Sequence, residues 1–280
     1  MYGFLGQNGA GKSTTIRMLM TLVTPTGGDI EIFGMKLSSH RNEILRNVGS
    51  VIEKPDVYKY LSAYDNLRLF ARLSGVKHTR ARLMEQLDRV GLAQRAGDKV
   101  RTYSQGMKQR LGIAIALVHD PALIVLDEPT NGLDPQGIAD IRNLVLHLSR
   151  QMKKTVIVSS HLLGEMEQVA TKVLIIDKGR KITEGAASEL FDPSQTIVEL
   201  QTFDNDFAYR QLQMSAWAEH LQPVRGNSIL VKMDRLKISE FNRDLVEMDI
   251  QVLSLQPRHS LEDYFLQVTS GNQYVGTYTN

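Results

Sequence analysis

Over its first 190 residues the chain alternates short, β-branched apolar runs with longer stretches whose apolar residues recur every three or four positions. The strand-like runs are Tyr2–Leu5, Ile30–Phe33, Val48–Ile52, Leu123–Leu126, Val156–Ser159 and Val173–Ile176. Several are apolar at successive positions, the pattern of strands covered by helices on both faces. Between two of them, Gln136–Arg150 places Ile138, Ile141, Leu144, Val145 and Leu148 on one side, which predicts an amphipathic helix. The alternation predicts an α/β layered core with a mostly parallel sheet.

From about residue 54 to 118 the pattern turns helical. Asp65–Ser74 and Thr79–Val90 read as helices stopped by Gly75 and Gly91, and a third helix follows Tyr103-Ser104-Gln105-Gly106. This predicts a helical insertion in the core. After Asp177-Lys178-Gly179-Arg180, a turn signal within a hairpin, the composition shifts past Gly185 and Pro193. Residues 195–268 mix weak strands (Thr196–Leu200, Ser228–Lys232, Ile250–Leu255) with helices near 207–220 and 237–247, a small α+β region. Its closing repeat, Leu261, Tyr264, Phe265 and Val268, has helical spacing and is expected to pack on that region, followed by a loose polar tail at 269–280.

Composition narrows the function. The 280 residues include no Cys and one Trp, with 42% hydrophobic and 23% charged residues, an ordinary globular profile that excludes collagen-like repeats and disulfide scaffolds. Thiolate catalysis and Cys-ligated zinc are excluded too, and the seven His have no metal-ligand spacing. The longest apolar stretches, Ile113–Val118 and Ala122–Leu126, are far shorter than the roughly 20 residues of a membrane-spanning helix. Residues 191–280 carry 7 basic and 12 acidic side chains (net −5), leaving 26 and 19 (net +7) in residues 1–190. No Lys/Arg run or basic-aromatic interleaving accompanies that excess, so no nucleic acid is expected as a partner.

The chemistry is concentrated in two places. Gly6-Gln7-Asn8-Gly9-Ala10-Gly11-Lys12-Ser13 matches G-x-x-x-x-G-K-[ST], after an apolar strand and before the helical run that begins at Thr14. In such a loop the backbone N–H groups wrap a phosphate at a helix N-terminus, the Lys reaches the β- and γ-phosphates, and the Ser hydroxyl ligates magnesium. More than a hundred residues later, Ala122–Leu126 ends in Asp127-Glu128. Phosphoryl transfer needs one carboxylate to help hold magnesium and another group to orient or deprotonate the attacking water, roles suited to Asp127 and Glu128 in turn.

With these elements in order, residues 1–190 resemble the nucleotide-binding subunits of ABC transporters. Tyr103-Ser104-Gln105-Gly106-Met107-Lys108-Gln109-Arg110 stands at the position of the family signature, usually written LSGGQ. Gln105 replaces its first glycine and Met107 its glutamine, a spelling similar to that of the drug, bacitracin and lantibiotic exporter branch. The resemblance implies a P-loop NTPase core of ABC type with a helical signature subdomain. It also implies that Ser104, Gln105, Gly106 and Met107 act in trans on ATP held by another subunit, in a homo- or heterodimer with Asp134 at the interface. His161 matches the switch histidine, a neutral imidazole expected to hydrogen-bond the γ-phosphate. The other six, His40, His78, His119, His147, His220 and His259, read as surface or helix-end residues. Glu53 stands where the family usually has Gln and is expected to ligate magnesium and to couple nucleotide state to a permease.

The expected cofactors are ATP and Mg²⁺. The expected partner is a separate polytopic membrane permease, which would place the chain peripherally at the cytoplasmic face of the cell membrane, with export of a drug or peptide antibiotic as the task. Family members normally carry antiparallel strands and an adenine-stacking ring ahead of the phosphate-loop strand, whereas Met1 stands five residues before Gly6. A truncated or internal start is the resulting expectation. The alternatives are a non-transport ABC ATPase and a nucleotide-binding regulator whose turnover is impaired by the short N-terminus.

Overall fold

The computed structural model describes residues 1–190, 196–225 and 228–258. In chain order the elements are β1 (Tyr2–Leu5), α1 (Lys12–Leu19), β2 (Glu31–Ile32), β3 (Met35–Lys36), α2 (Leu37–Arg46), β4 (Val48–Val51), α3 (Ala63–Leu73), α4 (Arg80–Arg89), α5 (Gln105–Ala116), β5 (Leu123–Asp127), α6 (Pro135–Arg150), β6 (Thr155–Ser160), α7 (Leu163–Glu167), β7 (Lys172–Asp177), β8 (Arg180–Ala186), α8 (Ala187–Leu190), β9 (Thr196–Thr202), α9 (Asn205–Gln213), β10 (Leu221–Arg225), β11 (Ser228–Met233), α10 (Ile238–Glu247) and β12 (Val252–Arg258). They divide into two compact units, Met1–Gly185 and Ala186–Asn280. The sequence pattern puts that division a few residues later, near 190.

In the first unit one sheet has the order β4-β5-β6-β1-β7-β8. β1 runs parallel to both β6 and β7, and β4, β5 and β6 are parallel in turn. On one face Phe4, Val48, Leu123 and Val125 pack with Ile16 of α1 and with Leu37 and Ile44 of α2. On the other, Gly49 lies against Ala116 of α5 and Gly3 against Met166 of α7. Both faces are covered, and β5 is buried at every position, which accounts for its unbroken apolar run. β8 returns from β7 through Lys178-Gly179, both at positive φ (47° and 75°), as the turn signal predicts.

This topology prepares a site. Because β1, β4, β5 and β6 run the same way, their C-terminal ends share one edge, with Leu5 beside Ser160, Val51 beside Leu126 and Asp127 beside Ser159. Ligands of open α/β sheets bind outside that edge.

The insertion between β4 and β5 carries α3, α4 and α5. Ser62 caps α3 by accepting from the Asp65 amide at 3.0 Å, and Gly75 and Gly91, at φ 77° and 68°, follow the ends of α3 and α4. The buried Asn66 accepts from the Tyr58 amide (2.8 Å) and donates to the carbonyls of Tyr58 (3.0 Å) and Ser62 (2.9 Å), fixing the loop that enters α3. α5 meets β4 and the following loop at very short range. A Cβ added at Gly49 would stand 2.1 Å from the Ala116 carbonyl oxygen, and one at Gly112 2.6 Å from Pro55.

In this unit two expectations change and one helix, α2, was not expected. The strand expected at Ile30–Phe33 is only β2, paired with β3 in a separate hairpin, because Phe33 and Gly34 turn left-handed (φ 57° and 74°). α2 was hidden by its polar residues, since it buries only Leu37 and Ile44. His119 is half-buried rather than superficial: its Nε2 lies 3.2 Å from the Val48 carbonyl, and burial lowers its pKa below 6.5.

The second unit runs β9-α9-β10-β11-α10-β12 with sheet order β10-β11-β9-β12, antiparallel throughout, a split βαββαβ arrangement. Its core includes Val198, Leu200, Leu212, Trp217, Ile229, Val231, Phe241 and Leu245. Trp217 meets Phe241 edge-on at 4.8 Å and donates from Nε1 to Asp244 at 2.7 Å. The helix expected near 207–220 stops at Gln213, and β10 was not among the expected strands because Pro223 lies within it; the strand is at the sheet edge, where proline is tolerated. The repeat from Leu261 to Val268 and the tail lie outside the described residues. Among the described residues no helix is long and apolar enough to cross a membrane.

Candidate functional site

Loops from the shared strand edge surround a cleft of about 430 Å³, bordered by residues of the Gly6–Thr14 segment and by Glu53, Lys54, Gln105, Gln109, Asp127, Glu128 and Asn131. Residues separated by more than a hundred positions meet there because β1 and β5 both end at that edge.

The phosphate loop joins β1 to α1. Gly11 is left-handed (φ 105°) at the N-terminus of α1, which has no side-chain cap, so the amides of its first turn lack intrahelical acceptors. At Gly6 an added Cβ would stand 2.7 Å from the Ile176 carbonyl oxygen, so the loop leaves β1 flush against β7. Lys12 is buried. Its Nζ donates to the carbonyls of Gly6 (2.6 Å) and Gln7 (3.2 Å) and lies 3.1 Å from Glu128 Oε1.

Asp127 is wholly buried at the end of β5. Its Oδ1 accepts from Ser159 Oγ on β6 at 2.6 Å, while Oδ2 has no hydrogen-bond partner. Glu128 has left-handed backbone (φ 47°), uncommon for a residue with a side chain, and its amide donates to the same Ser159 Oγ at 2.8 Å. Its carboxylate bridges two groups, with Oε1 toward Lys12 and Oε2 2.8 Å from His161 Nδ1. An ionised carboxylate only accepts, so His161 carries its proton on Nδ1.

Magnesium is usually held by one or two carboxylates together with nucleotide phosphates rather than by a protein cage. Among the described residues no group of three or more His, Cys, Asp or Glu forms such a cage. The unpartnered Oδ2 of Asp127, which lines the same cleft as Ser13, fits the shared mode.

Glu53 borders the cleft, also with left-handed backbone (φ 59°), but its carboxylate is engaged by Arg17 of α1. Ser104 caps α5 by accepting from the Met107 amide at 3.2 Å, and Gln105 and Gly106 form the first turn. Gln105 borders the cleft of its own chain beside Gly132, although the resemblance assigns the signature to another subunit's ATP. Asp134 caps α6 through the Gly137 amide at 2.8 Å.

The sequence reading missed three contributors. Ser159 joins Asp127 to the Glu128 backbone, Arg17 holds Glu53, and Gln109 lines the cleft and has a buried Nε2 without a hydrogen-bond partner. The available signals were a polar residue in the apolar run Val156–Ser159, and Gln109 one helical turn from Gln105.

The family model described as ABC transporter matches residues 1–131. The chain is 40% identical over 272 residues to the bacitracin transport ATP-binding protein BcrA of Bacillus licheniformis, covering 97% of this chain and 89% of that protein. It is 41% identical over 211 residues to the lantibiotic transport ATP-binding protein SrtF of Streptococcus pyogenes, covering 75% and 87%. Among solved structures, a dimeric ATP-binding cassette in a post-hydrolysis state bound to ADP and Pi aligns with TM-score 0.60 at 26% identity, over 67% of this chain and 85% of that one. A phosphate loop and a carboxylate pair facing each other across one cleft, in a chain this similar to transport ATP-binding proteins, lead to one assignment: the protein belongs to the ATP-binding subunits of ABC transporters.

Proposed function

We propose that this subunit hydrolyses ATP to drive export of an antibiotic, peptide or similar compound through a separate membrane permease, from a peripheral position at the cytoplasmic face of the membrane. The placement of Glu128 carries the reading: it stands at the edge of the phosphate-loop cleft, between Lys12 and His161. ATP phosphates would lie on the first-turn amides of α1 and on Lys12, which exchanges Glu128 for the γ-phosphate. Magnesium, held by Ser13 and Asp127, would offset phosphate charge. Released from Lys12, the Glu128 carboxylate takes a proton from the attacking water, while His161 holds its Oε2 in place. Ser159 keeps Asp127 and the Glu128 backbone in register.

The names of the relatives support the transport task, since bacitracin and lantibiotic transport are what BcrA and SrtF are named for. The signature residues Ser104–Met107 would close the γ-phosphate side of a partner subunit's cleft in a dimer, with Asp134 nearby.

The test is Glu128→Gln. ATP binding is expected to persist while phosphate release falls by about 10²- to 10⁴-fold, the usual contribution of a general base. Unchanged hydrolysis would remove Glu128 from the mechanism. Failure to co-purify with any polytopic membrane protein from its native cells would count against the transport assignment.

A further inference from the structure

Glu53 joins two observations that the proposed mechanism leaves unused. It borders the cleft that also holds Ser13 and Asp127, and its carboxylate is taken by the guanidinium of Arg17. Arg17 stands four residues after Ser13 on α1, so the helix whose first turn faces the cleft presents a cation one turn further on. Glu53 itself sits on a short span between the end of β4 at Val51 and the point where Asn66 clamps Tyr58.

The pair is built to exchange. Its side chains are 40% and 57% exposed, and half-exposed ion pairs contribute little net stability. A divalent cation is a stronger partner for a carboxylate than a hydrated guanidinium. A glutamine at this position would offer Arg17 only a neutral acceptor, so the ionic contact depends on the residue being Glu.

We propose that Arg17 is a positioning residue for Glu53 and that the two form a latch. The carboxylate rests on Arg17 and passes to the divalent cation held by Ser13 and Asp127, so that Arg17 and the metal compete for it. The latch rests on reading the cleft as a magnesium–ATP site.

The test uses Mn²⁺ as the probe on ATP-saturated full-length Glu128→Gln protein, with free Mn²⁺ counted by electron paramagnetic resonance. Arg17→Met is expected to raise Mn²⁺ affinity about two- to fivefold, the scale of one exposed ion pair. The same substitution in a Glu53→Gln background is expected to change nothing. Unaltered or weakened Mn²⁺ binding in Arg17→Met would overturn the latch, as would an equal change in both backgrounds. ATP binding by the parent protein in the presence of Mn²⁺ is measured first; its absence would overturn the cleft reading itself, and the latch with it.

Discussion

Ser159 and Asp127 are joined by a 2.6 Å hydrogen bond from Oγ to Oδ1, and the same Oγ accepts the Glu128 amide at 2.8 Å. One hydroxyl thus orients a buried carboxylate and holds the next residue's left-handed backbone. Ser159→Ala leaves Asp127 Oδ1 and the Glu128 amide without that partner. Because unpaired buried polar groups cost about 1–3 kcal/mol each, a fall of several degrees in Tm is expected, together with reduced ATP turnover. Thermal melts and phosphate release check it; a variant equal to wild type in both would show that Ser159 is dispensable.

Gly49→Ala forces a methyl group to within 2.1 Å of the Ala116 carbonyl oxygen. The obstruction is backbone, so β4 or α5 must move. Overpacking of flexible side chains costs about 1–3 kcal/mol, and the expected loss here is at the top of that range or beyond it. Urea titration is the measurement, and stability within about 0.5 kcal/mol of wild type would contradict the close approach.

His119 supplies a pH dependence with a definite sign. Burial lowers its native pKa below the ordinary 6.5, so the unfolded chain takes up the proton first as pH falls. Its stabilising contribution is therefore complete above pH 6.5 and declines as pH drops through that value toward the native pKa. His119→Gln keeps a donor for the Val48 carbonyl without titrating. The variant's Tm is expected to fall less than wild type's between about pH 7 and pH 5, and parallel curves would refute the assignment.

Trp217, the single tryptophan, is buried in the core of the second unit against Phe241. Its fluorescence therefore reports that unit, whereas far-UV circular dichroism weighs both. ATP with magnesium is expected to raise the dichroism midpoint in a denaturant titration and to leave the fluorescence midpoint in place, because the nucleotide cleft is lined from the first unit. Equal shifts in both signals would mean that the two units unfold as one.

What could be read from the sequence was local chemistry with a fixed order. Gly6–Ser13 and Asp127-Glu128 are contiguous motifs flanked by recognisable elements, and the parallel sheet follows from apolar runs that reappear buried on both faces. Contacts set by which strands lie side by side were not legible. Ser159 meets Asp127 across 32 residues and Arg17 meets Glu53 across 36, and neither sequence neighbourhood advertises the other. The tautomer of His161 is likewise a property of where Glu128 points. α2 and β10 were missed for opposite reasons: one buries too few apolar residues to show a period, and the other contains a proline that only an edge strand accepts.

The close contacts along α5 give that helix the mechanics of a cantilever. It is seated where Ala116 meets Gly49 and where Gly112 meets Pro55, while its other end, from Ser104 to Gly106, lies lightly against Gly132 and Leu133. Seven residues separate the seat at Gly112 from Gln105, an arm of roughly 10 Å, so a tilt of about ten degrees at the seat displaces the tip by roughly 2 Å. Pro55 presses on that seat two residues beyond Glu53. Any displacement of the Pro55 segment would thereby be enlarged at the residues that would face a neighbouring subunit's phosphate.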